Sequence, residues 1–207
     1  MYTPKDYQNH NIAEINEFIR QHGFGILVSQ GSESLHATHI PFELSADGTK
    51  LVGHISRGNP QWKNIDDIKE VLAIFTGPHS YISSSWYNHE NVPTWNYIAV
   101  HVYGTLRIIE GEALRESLKH LVDKYEKDSE KPTSLESLSP DYMNRVIKGI
   151  VGLEISITRT EASYKLSQNR DDENYNNIIL ELEKRKDENA SQVASIMKQN
   201  RCPITHA

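Results

Sequence analysis

The chain has 207 residues, 37% hydrophobic and 24% charged, with a net charge of −6 and a single cysteine. That supports one sizeable apolar core and argues against wholesale disorder. It excludes an internal disulfide and a membrane-crossing helix (no apolar run nears the roughly 20 residues required), and the acidic balance argues against a dedicated nucleic-acid binder, which usually shows a basic domain or stripe. Met1 to His10 is polar and lacks the apolar stretch of a secretory signal, so a cytoplasmic protein is expected. Cys202, beside Pro203 in a polar tail, reads as incidental.

Asn11 stands before a helical spacing of apolar residues (Ile12, Ile15, Phe18, Ile19), with Glu14 placed to complete a capping box and Gly23 to stop the helix. Runs rich in β-branched and aromatic residues follow at Phe24 to Ser29, Leu35 to Leu44 and Leu51 to Ser56. Ala46-Asp47-Gly48, between the last two, predicts a hairpin turn. Asn59-Pro60 predicts a second helix, with Asn as its cap, Pro in its first turn, and Trp62, Ile65 and Ile68 along it. Val71 to Phe75 and Ile98 to Ile109 read as strands. Between them, Gly77 to Tyr97 is too irregular for one element and too aromatic for disorder, which predicts an ordered loop.

A helix with Leu114, Leu118, Leu121, Val122 and Tyr125 on one face comes next, then another from Ser139-Pro140 to Gly149. Val151, Leu153, Ile155 and Ile157 alternate with Gly152, Glu154, Ser156 and Thr158, the pattern of a strand with one wet face. A short strand is expected at Ala162 to Leu166, and two helical stretches around Tyr175 to Leu182 and Val193 to Met197 close the chain. About six strands joined mainly by short turns predict an antiparallel barrel of the α+β class.

Chemistry concentrates in His54-Ile55-Ser56-Arg57-Gly58-Asn59-Pro60-Gln61-Trp62, where a strand ends, a cation and a glycine follow, and a capped helix begins. The Ser56 hydroxyl, the two-pronged Arg57 guanidinium and a helix N-terminus would make a monophosphate cradle; the plain alternative is a strand-to-helix turn with an exposed arginine. His36 and His39 would point to opposite faces of one strand, and His54, His79, His89 and His101 lack ligand spacing, so no metal site is expected. Pro41 suggests a strand edge or bend. The aromatics of Tyr81 to Tyr97 either plug the barrel end or wall a flat ligand. No nucleophile elbow, Walker loop or dinucleotide fingerprint is present. Lys184-Arg185-Lys186, flanked by Glu181, Glu183, Asp187 and Glu188, reads as a solvated helix face.

Five collinear segments carry a resemblance: His39-Ile40-Pro41-Phe42; Gly53-His54-Ile55 through Asn59-Pro60-Gln61-Trp62; Phe75-Thr76-Gly77-Pro78 with Tyr81-Ile82-Ser83; Val92-Pro93-Thr94-Trp95-Asn96-Tyr97; and Leu166-Ser167-Gln168-Asn169-Arg170. Together, across nearly the whole chain, they resemble the PaiB-type FMN-binding negative transcriptional regulators of bacteria. The resemblance implies a six-stranded split β-barrel with peripheral helices, related to the pyridoxamine-phosphate oxidases. It also implies a homodimer with FMN at the interface, and repression of sporulation and of degradative-enzyme (protease) synthesis.

By motif position, Ser56, Arg57 and Asn59 would hold the FMN phosphate, with His54 and Trp62 in the same segment. Thr38 and His39 would lie along the flavin, and Trp95 and Asn96 would approach its ring. Ser167, Gln168 and Arg170 would complete the site across the dimer. The implied organisation is a flavin-binding domain over 1–170 and a helical extension over 171–207 packed on it. The full basic set for a second phosphorylated substrate is absent, so oxidation of pyridoxamine phosphate is not expected. The acidic chain shows no helix-turn-helix, which sets indirect action through flavin chemistry against direct contact with promoter DNA. The rival classes are an FMN-dependent oxidoreductase and a haem-handling split barrel with an axial histidine such as His79 or His101.

Overall fold

The computed structural model describes residues 1–31, 33–63 and 70–200. Eight strands form one sheet: β1 (Gln8–Asn9), β2 (Phe24–Gln30), β3 (Leu35–Pro41), β4 (Glu43–Leu44), β5 (Lys50–Ser56), β6 (Val71–Ile82), β7 (Thr94–Ile109) and β8 (Ile150–Lys165). Their order is β3-β2-β6-β7-β8-β5-β4, with β1 pairing off this path onto β8. Five α-helices accompany them among the described residues: α1 (Ile12–Gln21), α2 (Gly111–Glu126), α3 (Pro140–Ile147), α4 (Asp172–Glu183) and α5 (Glu188–Asn200). The class is antiparallel α+β, as expected, but with eight strands rather than six.

The added strands, β1 and β4, are two residues long, too short to show a period, and separately the long strands outrun their apolar signal. The expected loop from Gly77 is strand as far as Ile82: Pro78, Ser80 and Ile82 are buried while His79 and Tyr81 are exposed. The loop proper is confined to the stretch between Ile82 and Thr94 and contains a 3-10 turn, Ser84–Trp86. The two strands expected at 151–158 and 162–166 are one, β8, running through the polar Arg159-Thr160-Glu161. The helix expected after Asn59 is a 3-10 turn, Pro60–Trp62, and Lys63 returns to an extended backbone. Ile65, Ile68 and Cys202 lie outside the described residues.

Two compact units share the long strands. In the unit of residues 16–75 and 101–160, Leu27, Phe42, Leu51, Ala73, Phe75, Leu153 and Ile155 are fully buried. The burial of each large side chain contributes roughly 1.5–3 kcal/mol. The hairpin turn forms as its sequence predicts. Gly48 takes a left-handed φ of +73°, and Ser45 and Thr49 hydrogen-bond Asp47, which lowers its carboxyl to about 2. One expectation fails here. The face of β8 expected to be wet is exposed only at Thr158: Ser156 is half-buried, a Cβ on Gly152 would sit 2.7 Å from Leu114 of α2, and Glu154 is only 8% exposed. Glu154 is accommodated because Arg107 donates to it at 2.7 Å and Lys50 lies at 3.3 Å.

In the unit of residues 1–15, 76–100 and 161 onward, Ile98, Val100, Leu166, Tyr175, Ile178, Leu182, Val193 and Met197 are buried. Asp171 caps α4 by accepting from the Asn174 N–H, and the Tyr175 hydroxyl donates to the Met197 carbonyl, joining α4 to α5. No helix among the described residues is long and apolar enough to cross a membrane.

Candidate functional site

The segment from His54 to Trp62 is held by side chains that its own sequence supplies. His54 lies on β5 opposite Gly152, half-buried, and burial lowers its pKa. The strand ends at Ser56, which is exposed, and the Asn59 N–H closes the turn on the Ser56 carbonyl at 2.9 Å. Arg57 is exposed yet fixed. Its backbone N–H donates to the Gly149 carbonyl, Nε to the Lys148 carbonyl at 2.9 Å and Nη2 to the Ile150 carbonyl at 3.0 Å. Trp62 completes the clamp: its Nε1 donates to the Arg57 carbonyl, and its ring lies 5.6 Å from the guanidinium carbon.

Behind this turn sits a closed set of polar bonds. Asn59 accepts from the Gln61 N–H at 2.9 Å and donates from Nδ2 to the Thr38 hydroxyl at 2.8 Å. Thr38 in turn donates to Gln61 Oε1 at 2.5 Å, and Gln61 Nε2 donates to the Leu27 carbonyl and the Ser29 hydroxyl. Gln61 is 3% exposed, and every polar group of its side chain is used. Sequence reasoning passed over it; its only signal was its place between the cap Asn59 and Trp62.

Thr38, Ser56, Arg57, Asn59 and Trp62 therefore come together. The helix N-terminus expected beside them does not, because a three-residue 3-10 turn has too few aligned peptides to supply a dipole. His39 follows Thr38 on β3 and points to the opposite face, exposed, where it stacks on Phe24 with ring centroids 6.0 Å apart.

The remaining site residues form a second group within the other unit. Trp95 is 52% exposed and meets the exposed His79 and Tyr81 at ring distances of 5.9 and 6.0 Å. Asn96 is fully buried, accepting from the Ser167 hydroxyl at 3.0 Å and donating to Met197 Sδ. Ser167 has a left-handed φ of +60°, an uncommon conformation for a serine and one the Asn96 bond helps to hold. Gln168 accepts from the Leu166 N–H and donates to the carbonyls of Asp6 and Tyr164, bracketing the N-terminal segment. Arg170 lies over the Tyr87 ring at 5.0 Å.

A cleft of about 610 Å³ between α2 and the β4–β5 hairpin contains none of these residues, and the half-buried Lys124 and Glu43 in it pair at 3.0 Å, with the buried Glu154 paired as above. In the basic triplet, Arg185 is not a solvated cation: it donates to the Ser80 hydroxyl and the Tyr81 carbonyl and lies over Trp86 at 4.5 Å. Lys184 pairs with Glu181.

Comparison with known proteins places this geometry in a family. Residues 1–159 match the family described as "Putative FMN-binding domain". Over 200 residues the chain is 42% identical to the "Protease synthase and sporulation protein PAI 2" of Bacillus subtilis, covering 96% of this chain and 97% of that protein. Two solved structures share the fold at low identity. One is a flavocytochrome from Azotobacter vinelandii (TM-score 0.61, 17% identical, 84% of this chain and 78% of the other). The second, an FAD- and haem-binding protein from Mycobacterium smegmatis, gives a TM-score of 0.57 at 15% identity over 77% and 73%. The fold is thus the flavin-binding split β-barrel. The chain belongs to this FMN-binding family, of PaiB type, and FMN is its cofactor.

Proposed function

We propose that this chain is an FMN-binding negative regulator of sporulation and degradative-enzyme synthesis, with Arg57 and Ser56 as the grip on the FMN phosphate. The carrying observation is the immobilised, solvent-facing Arg57. Of its five side-chain N–H donors, two are used among the described residues, on the Lys148 and Ile150 carbonyls. The other three meet no partner among the described residues and would be open to an anion, beside the exposed Ser56 hydroxyl. This donor set fits a phosphate monoester. Thr38 and Asn59 would support the grip from behind rather than take the phosphate themselves. Bound there, FMN supplies reversible electron transfer.

A homodimer belongs to the same reading. The outward face of β3-β2-β6 carries an apolar centre, with Ile26 opposite Ile74 and Val28 opposite Leu72 and Ala37, edged by the exposed Phe24 and Leu35 and by the polar His39 and Gln30. A second copy covering it would remove that surface from water. Trp95 and Arg170 would be that copy's contribution to the flavin site, with Asn96, Ser167 and Gln168 fixing their backbone. Residues 1–170 would form the flavin-binding domain, and those from 171 a helical extension docked on it by Asn174–Asn88 and Asn177–Trp86 bonds.

The internal use of Arg185 supports action through flavin chemistry or a protein partner over DNA contact by the basic triplet. Gene deletion in the source organism should raise secreted protease and advance sporulation, and an Arg57→Ala copy should fail to restore repression. Full restoration by Arg57→Ala would contradict the link between flavin and regulation.

A further inference from the structure

The phosphate grip is exposed, yet the group that holds its turn against the sheet is buried and lies outside it. We infer that Gln61 is the positioning residue that gives this site its preference for the phosphorylated flavin. The inference rests on the phosphate reading of Ser56 and Arg57. Four bonds converge on Gln61: its N–H to Asn59 Oδ1 (2.9 Å), Nε2 to the Leu27 carbonyl (3.1 Å) and the Ser29 hydroxyl (3.0 Å), and Oε1 from Thr38 (2.5 Å). They tie β2, β3 and the 59–62 turn into one body.

The neighbouring residue carries this rigidity outward. Trp62 follows Gln61 in the chain, donates to the Arg57 carbonyl and backs the guanidinium. Gln61 touches no exposed surface, so it meets no ligand; it acts by fixing where Trp62 can stand and hence where Arg57 points. A bidentate ionic contact depends steeply on direction, so a loosened turn would cost phosphate affinity while leaving contacts to the flavin ring intact.

The test compares FMN with riboflavin, which lacks only the phosphate, by flavin-fluorescence titration of the full chain. Wild type should bind FMN the more tightly. Gln61→Met, apolar and of similar reach, should lose about tenfold or more of that preference, chiefly through weaker FMN binding. Ser29→Ala removes one of the two Nε2 acceptors at little steric cost and should show a smaller loss of the same kind, which keeps the test open if Gln61→Met folds poorly. Riboflavin affinity should stay within about twofold in both. An undiminished preference in a folded variant would overturn the inference, as would equal losses for both ligands, the mark of a merely structural role. Equal binding of FMN and riboflavin by wild type would overturn the phosphate reading itself and this inference with it.

Discussion

Arg57→Ala tests the site most simply. The side chain offers a charged two-pronged contact to a phosphate, and a charge-assisted hydrogen bond contributes about 1.5–3 kcal/mol. Its loss should therefore weaken FMN binding by about 10- to 150-fold. The same change also removes two bonds to the Lys148 and Ile150 carbonyls and the contact with Trp62. These are solvent-exposed, so the fold should lose only about 0.5–1.5 kcal/mol and stay native at room temperature. Arg57→Lys keeps the charge without the planar fork and should fall between the two. Fluorescence titration with FMN and riboflavin, alongside a denaturation curve, separates binding from stability. Unchanged FMN affinity in Arg57→Ala, or an equal loss for riboflavin, would rule out Arg57 as the phosphate grip.

Three further outcomes follow from the packing. The Arg107 hydrogen bond, aided by Lys50, lowers the pKa of Glu154, so its stabilisation is present above the usual value of 4.5 and is lost as pH falls through the lowered one. Glu154→Gln should cost about 1–3 kcal/mol at neutral pH in urea unfolding, and the gap should close in acid; a gap constant with pH would contradict this. Gly104→Ala would place a Cβ 2.3 Å from the Ser156 carbonyl oxygen and 2.6 Å from Ile155, and a loss of about 1–3 kcal/mol or more is expected by the same method. Val28→Glu, centred on the apolar face of β3-β2-β6, should give a folded monomer by light scattering; an intact dimer would place the interface elsewhere.

What the sequence disclosed, and what it hid, follows from how local each determinant is. The hairpin at Asp47-Gly48 and the cap at Ser139, whose hydroxyl accepts from the Tyr142 N–H, are built by neighbouring residues, so they could be read directly. Strand β6 beyond Phe75 could not. Gly77-Pro78 reads as a turn, and the inward Ser80 is accommodated by Arg185, a residue 105 positions away. Glu154 was placed in water because its counter-charges, Arg107 and Lys50, lie on other strands. The site divides in the same way. Ser56-Arg57 was visible as a cation at a strand end, whereas Gln61, inward and fully bonded, showed only once Leu27, Ser29 and Thr38 had been brought around it.

The measurement closest to the central claim is a visible-absorption titration of the purified full-length chain with FMN, with its mass in solution determined alongside. A saturable change in the flavin spectrum is expected, one FMN per chain, on a protein of twice the chain mass. A well-folded protein that leaves the FMN spectrum unchanged would contradict that claim.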